Sequence, residues 1–480
     1  MSSKTAVEEA FFESFGAILQ VLTIIFVGAV SASQGLLPTP IRKALATLNF
    51  KVFLPSLILS TAASYDAPDL VRYSPLMLAS IFHILLGLTL GAIIGKSFNL
   101  PSPDRQFLLL TTAFNNNGGL PFILLVPLCE TWGPALDEGP SALGRAFGMV
   151  MIYCLPWYFL MFTLGLWIIK DAAQDTVNSV EEATSPVNPL HEPPCPHCTN
   201  ETKSDNGKNW SISSTENIAW KFVTSGFEEI KKYPNIPASL LAVALACSGP
   251  VKEFLFGGSL TFVGGTWKQL GACAPVVSTF VLSAGLYSSM YPLVPLKETS
   301  PNRLLNESLS SSNSGMVNSN LVTRGGSEPM VDKFAHSIST EAMVERMKMD
   351  NENCPIVDKS SLETEELAFE EEAGNGDARA KWRQLVLMSS GLKLIVMPLI
   401  CFPLTLLVIR HTGFAKDDKM LQMILLIECA VPSSQTAVAL MQLETSSKLA
   451  NRMASLYLPM YCAAAFTLSF WVASAIYLLR

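Results

Sequence analysis

Charged residues are scarce in this chain: Asp, Glu, Lys and Arg make up 15% of its 480 residues, and there are only five histidines. A soluble domain covers itself with charge, so a chain that is 49% hydrophobic with mean hydropathy +0.35 is not one. A secreted disulfide framework is also missing. Of ten cysteines, Cys154, Cys247, Cys273, Cys401, Cys429 and Cys462 fall within or against apolar runs, where a thiol acts as a small hydrophobe. No cleavable signal peptide is evident, because MSSKTAVEEAFFES is polar and partly acidic and the apolar run behind it is long enough to be a first span. No repeated filter-like sequence or charged ring marks a channel. No catalytic constellation, cofactor motif or metal-ligand set is assigned, so an enzyme is not expected, and nothing points to nucleic acid. What the chain does have is a series of apolar runs of about 18 residues or more, the mark of a polytopic membrane protein.

One of those runs is anomalous. Residues 105 to 129, RQFLLLTTAFNNNGGLPFILLVPLC, place Asn115, Asn116, Asn117, Gly118, Gly119 and Pro121 where the middle of a span belongs. Proline deletes a backbone donor and glycine lowers the cost of a bend, so the stretch reads as two half-helices with freed backbone groups between them. A second copy lies at 420 to 443, where Pro432, Ser433, Ser434 and Gln435 interrupt an apolar span just after Glu428. Broken helices recur at the substrate sites of secondary transporters, where helix N-termini meet anionic groups.

The remaining predicted spans are about 14–34, 41–62, 74–95, 143–169, 236–256, 262–289, 384–409 and 451–479, so each broken span is fourth of five in its half. Five is odd, so the halves have opposite orientation. The fold class is therefore an all-α polytopic membrane protein, ten transmembrane helices in two inverted five-helix repeats with broken helices 4 and 9. Prolines recur at matched spans: Pro55 with Pro275, Pro121 with Pro432, and Pro156 with Pro459. The predicted organisation is a first repeat at 14–169, a polar cytosolic linker at 170–235, helices 6 and 7 at 236–290, a disordered acidic and serine-rich linker at 291–383, and helices 8 to 10 at 384–479.

The linkers carry few features. In HEPPCPHC, His191, Cys195, His197 and Cys198 lack a second distant pair and read as a thiol-containing tract rather than a zinc site. Residues 218–232 are expected to lie along the membrane surface. Inside the spans, Glu428 is costly to ionise and should face a polar cavity, pair with a base or stay protonated. His83, Lys393 and Asn49 are candidates for coupling or support of the breaks. Asn115, Asn116, Asn117, Gly118, Gly119, Pro121, Pro432, Ser433, Ser434 and Gln435 form the candidate substrate site.

With these residues in hand, the chain resembles the auxin efflux carrier family of membrane transport proteins, and its PIN-LIKES branch more than the long-looped PIN-FORMED branch. The resemblance covers about residues 14–170, 236–290 and 384–479. It implies a scaffold of helices 1, 2, 6 and 7, a transport domain of helices 3–5 and 8–10, and helices 4 and 9 crossing at Pro121 and Pro432. It also implies an indole-3-acetate-like carboxylate as substrate and an endoplasmic reticulum location, with the plasma membrane as the alternative compartment. His83 does not match the family's carboxylate and lysine arrangement on helix 3, and the long linker before helix 8 departs from the compact plan.

The expected function is transport of a small organic anion by alternating access across an intracellular membrane. A sodium-coupled organic-anion symporter is the alternative in the same class, and a membrane scaffold with partner-binding linkers the alternative in another. The expected partners are an indole carboxylate or similar anion and the lipid bilayer, with a homodimer open beside a monomer.

Basic residues favour the side of the long loops, through Arg42, Lys43, Lys96, Arg105, Lys448 and Arg452 in short connections, over a terminal side holding Arg72, Lys252, Lys268, Arg410, Lys416 and Lys419. That places the long loops in the cytosol. The sequons at Asn200, Asn209 and Asn306 are then expected to remain unmodified. Glycosidase digestion followed by intact-mass measurement checks this, and a glycan mapped to any of the three reverses the orientation.

Overall fold

The structure, a computed structural model of the chain, describes residues 3–61, 65–117, 119–132, 142–184, 232–290, 376–413, 415 and 417–479. The HEPPCPHC tract, the three sequons, Gly118, the acidic tract and all but the last residue of the 218–232 segment lie outside the described residues.

The described part is helical throughout, with no strand longer than a single bridge. The helices are α1 (Ser3–Ser33), α2 (Thr39–Thr61), α3 (Ala67–Arg72), α4 (Ser74–Ser97), α5 (Asp104–Ala113) and α6 (Leu120–Trp132). Next come α7 (Ala142–Leu160, continuing through Met161–Gly165 and Leu166–Thr184), α8 (Asn235–Cys247), α9 (Gly249–Phe256) and α10 (Thr261–Met290). The chain closes with α11 (Gly376–Gly391, continuing through Leu392–Val396 and Met397–Thr412), α12 (Lys419–Ala430), α13 (Gln435–Glu444) and α14 (Ser447–Leu479). Among the described residues seven helices are long and apolar enough to cross a membrane, or eight if α8 and α9 count as one span.

Three boundaries differ from the sequence expectation. The first helix begins at Ser3, taking in the polar stretch ahead of the apolar run. The fifth continues to Thr184, well beyond 169, because Asp171 and Asp175 on its extension accept bonds from Gln106 Nε2 at 2.9 and 3.2 Å. The predicted sixth span is not one rod. It bends by 103° between α8 and α9. Ser248 leaves helical geometry at φ −104°, ψ 73°, and Pro250, which cannot donate, starts the new helix in its first turn.

Burial does not follow length. Only 28% of the most apolar windows of α1 and α4 is buried, and α4 presents Leu78, Phe82, Leu85 and Ile93 outward as a lipid-facing surface. The shorter α12 has every residue from Met420 to Ala430 buried, and α5 is buried along Gln106–Leu108 and Leu110–Ala113. The buried α5 and α12 are thus packed among longer helices, with α4 against α5 and α7 and α11 against α12, while α1 packs on α10 and α14.

Polar contacts gather in two tiers at opposite helix ends. In one tier Arg452 pairs with Asp104 at 2.8 Å, Arg42 Nη1 donates to Asn451 at 3.1 Å and to the Ala284 carbonyl at 3.3 Å, and Lys232 pairs with Glu444. In the other, Asp418 holds Arg72 at 3.2 Å and also Arg145, and Lys252 holds Asp66 at 2.5 Å. Between the tiers the long helices expose large apolar side chains such as Phe26, Leu85 and Leu399, the surface a bilayer requires.

Close helix packing depends on glycine at defined points. A Cβ on Gly271 of α10 would lie 2.6 Å from Leu57 Cα and 2.7 Å from Leu57 N of α2, both backbone atoms that cannot move alone. Gly265, on the same helix, has nothing within 4 Å of such a Cβ. Gly271→Ala is therefore expected to lower the melting temperature of purified protein by several degrees while Gly265→Ala leaves it unchanged or raises it. Thermal-shift measurement of the pair checks the α2–α10 contact against a propensity effect common to both sites.

Candidate functional site

The two interrupted segments meet. α5 ends at Ala113 and the chain turns extended at Phe114 (φ −102°, ψ 109°), while α12 ends at Ala430 with Val431 also extended (φ −62°, ψ 133°). Asn115 and Ser433 then form an antiparallel bridge, in which Asn116 N donates to Pro432 O at 2.7 Å and Ser434 N donates to Phe114 O at 2.9 Å. Each break thus satisfies the backbone groups that the other has freed, which a bilayer interior requires.

Side chains complete the account. Lys393 Nζ, on a π-helical turn of α11, donates to Thr112 O at 3.0 Å and to Asn115 Oδ1. Asn115 Nδ2 donates to Glu428 O at 2.7 Å, and Ser433 Oγ to Thr111 O. From α14, Tyr457 donates to Ser434 O at 2.8 Å, and the Tyr461 hydroxyl donates to Ser433 O at 3.0 Å while accepting from Asn116 Nδ2 at 2.6 Å. The Cys154 thiol lies 3.6 Å from Asn117 O. Ser434 caps α13, its hydroxyl accepting from Thr436 N at 3.2 Å.

Beside the crossing is a small, partly enclosed cavity of about 20 Å³, roughly the room one water needs. One wall is Asn116, Gly119, Tyr158, Gln435 and Thr436; the other is Leu54 of α2 with Ala274, Pro275 and Ser278 of α10. The N-termini of α6, at Leu120, and α13, at Gln435, open toward it. Thr279 Oγ1 donates to Gln435 Oε1 at 2.8 Å, linking the two walls.

The residues expected from sequence thus fall into groups. Asn116, Gly119 and Gln435 line the cavity. Asn115, Pro432 and Ser433 form the crossing itself, with Ser434 at its edge, and Pro121 is buried in the first turn of α6. Asn117 is fully buried, and neither its side-chain Nδ2 nor its Oδ1 has a protein partner. Glu428 is likewise fully buried, with both carboxylate oxygens unpartnered; Lys393 is spent on the break rather than on a Glu428 ion pair. Asn49, on the π-helical turn of α2, donates to Ser278 Oγ at 2.8 Å. His83 is held by Tyr153, with Nδ1 and the hydroxyl 2.7 Å apart, and its Nε2 lies 3.4 Å from Cys429 Sγ. The metal-competent cluster among the described residues is His83, Cys401 and Cys429.

Sequence reading missed Tyr158, Tyr457, Tyr461 and Thr279. Tyrosines inside spans near Pro156 and Pro459 were the available signal, because a phenol in hydrocarbon needs a partner. The Tyr158 hydroxyl is buried without one. Tyr461→Phe leaves Asn116 Nδ2 and Ser433 O without that partner, at about 1–3 kcal/mol for each buried group left unmade. Its melting temperature should drop accordingly, whereas Tyr477→Phe, exposed on the same helix, should leave it unchanged.

Residues 13–297 match the family described as Membrane transport protein. Among curated proteins, an uncharacterised transporter of Saccharomyces cerevisiae is 27% identical over 310 residues, covering 57% of this chain and 70% of that protein. PIN-LIKES 1 of Arabidopsis thaliana is 24% identical over 263 residues, 52% of each chain, and PIN-LIKES 3 of the same plant is 28% identical over 187 residues, 36% of this chain and 46% of that protein. The chain thus spans about half the length of the PIN-LIKES relatives it matches. With more than half of its length inside the match, the chain belongs to the membrane transport protein family of auxin efflux carriers, and is a multi-pass membrane transport protein and not an enzyme.

Proposed function

We propose that this protein moves a small organic anion, an indole-3-acetate-like carboxylate, by alternating access through ten spans in two inverted five-helix repeats, 14–169 and 236–290 with 384–479. The observation that carries the reading is the cavity at the helix crossing, with polar groups on one wall and Leu54 and Pro275 on the other. At about 20 Å³ the cavity is closed to a ligand of indole-3-acetate's size, so the walls must part to admit one; a flat aromatic acid then suits them, its ring against the apolar side and its carboxylate against the donors. Two helix N-termini and the unpartnered Tyr158 hydroxyl offer positive potential without a fixed arginine. An ion pair in a dry site would bind tightly and release slowly, so neutral donors favour turnover.

The division of the walls favours a rocking cycle. Leu54 and Pro275 come from α2 and α10, in the scaffold that the family resemblance implies, and the polar wall comes from the proposed transport domain. The bonds from Arg42 to Asn451 and from Lys232 and Tyr233 to Glu444 join those two parts at the long-loop end. They are the contacts that opening toward that end must break. We assign the transport to the endoplasmic reticulum membrane, with the long loops cytosolic.

Purified protein in liposomes is expected to take up labelled indole-3-acetate saturably, without a sodium gradient. Tyr158→Phe removes one hydrogen bond to a charged group, about 1.5–3 kcal/mol, and should raise the apparent KM about 10- to 100-fold. Its melting temperature should not fall, because the hydroxyl has no protein partner to lose. Unchanged transport in both Tyr158→Phe and Gln435→Ala would remove the cavity from the reaction, and strict dependence on sodium would make the protein a symporter instead.

A further inference from the structure

The mechanism above leaves one group of chemically able side chains unused. His83 of α4, Cys401 of α11 and Cys429 of α12 converge in the interior, each no more than 3% exposed, with their ligand atoms all within 4.8 Å of one another. We infer that these three side chains form a zinc site inside the membrane domain, tying α4, α11 and α12 together beside the crossing.

Donor chemistry supports this metal. Two sulfurs and an imidazole form a soft set that disfavours magnesium and calcium, which take oxygen ligands. Two thiolates and a neutral imidazole cancel the charge of a divalent cation, so the complex enters a low-dielectric interior with no net charge. A monovalent copper ion on the same ligands would leave one uncompensated negative charge there. Loading is balanced when hydrated Zn²⁺ displaces two thiol protons, forms two Zn–S bonds and one Zn–N bond, and sheds all of its waters but one, which completes the tetrahedron.

The geometry is close to what zinc requires. Tetrahedral zinc sets its sulfur ligands about 3.8 Å apart and its sulfur and nitrogen ligands about 3.5 Å apart, from bond lengths of about 2.3 and 2.0 Å. His83 Nε2 and Cys429 Sγ are already 3.4 Å apart, and the wider spacings, none above 4.8 Å, close by about 1.3 Å at most. The second ring nitrogen of His83 is 2.7 Å from the Tyr153 hydroxyl. The phenol oxygen can accept the Nδ1 proton, and in that tautomer the Nε2 lone pair faces the sulfurs, as metal-bound histidines require. Cys429 also lies next to Glu428, whose carbonyl receives Asn115 Nδ2, so a metal there would brace the strand leading into Pro432.

The test uses the full chain with Cys195→Ser and Cys198→Ser, so that the HEPPCPHC tract does not contribute metal. Protein purified from zinc-replete cells without added metal is expected to hold close to one zinc per chain by elemental analysis. Zn K-edge absorption should show sulfur and imidazole neighbours. Cys401→Ser and Cys429→Ser, each in that background, should lower the zinc content at least ten-fold. A monodisperse parent protein without zinc, zinc retained in both variants, or a shell of oxygen and nitrogen alone would each overturn the site. Should the variants not fold, the parent's zinc content and absorption edge decide the question by themselves.

Discussion

The structure depends on a two-residue ribbon between Asn115 and Ser433. Breaking a helix inside hydrocarbon frees amides and carbonyls that no water is present to receive, and each unmet group costs several kcal/mol. One break alone would have to draw on side chains for all of its bonds. Two breaks laid antiparallel exchange the bonds Asn116 N to Pro432 O and Ser434 N to Phe114 O, so each provides the edge the other needs. Pro432 suits this place because it contributes a carbonyl and has no amide to satisfy.

That constraint organises the layers around it. A crossing with backbone this irregular tolerates no lipid, so α5 and α12 lie inside while α1 and α4 meet the bilayer. The carbonyls left over need long polar side chains from neighbouring helices, and these are Lys393 from α11 and Tyr457 and Tyr461 from α14. Lys393 and Asn49 both sit on π-helical turns, where one widened turn re-aims a side chain that an ordinary helix would direct elsewhere.

The breaks themselves were legible in the sequence, because Asn, Gly and Pro in the middle of an apolar run contradict a continuous span. Their partners were not. That Asn115 pairs with Ser433, or Asn116 with Tyr461, is a relation between residues more than 300 positions apart, and spacing within one helix carries no trace of it. The same limit applies to His83, Cys401 and Cys429, which look like isolated core residues until three helices bring them together. The bend at Ser248 is a different case: Gly249 and Pro250 stood in the sequence, but the apolar run around them resembles an ordinary span.

Scarcity of charge also shapes the chemistry that the crossing can perform. Lys393, fully buried beside it, is turned onto the backbone of the break, so the cavity holds neutral donors and helix termini instead of a fixed cation. Hydrogen bonds of this kind discriminate by direction. They weaken steeply once one wall moves against the other, because their energy depends on angle and distance far more than a Coulomb attraction does. In the proposed cycle, a site built from them, with one wall on α2 and α10 and the other on the crossing, would hold an anion in one alignment and give it up in the next.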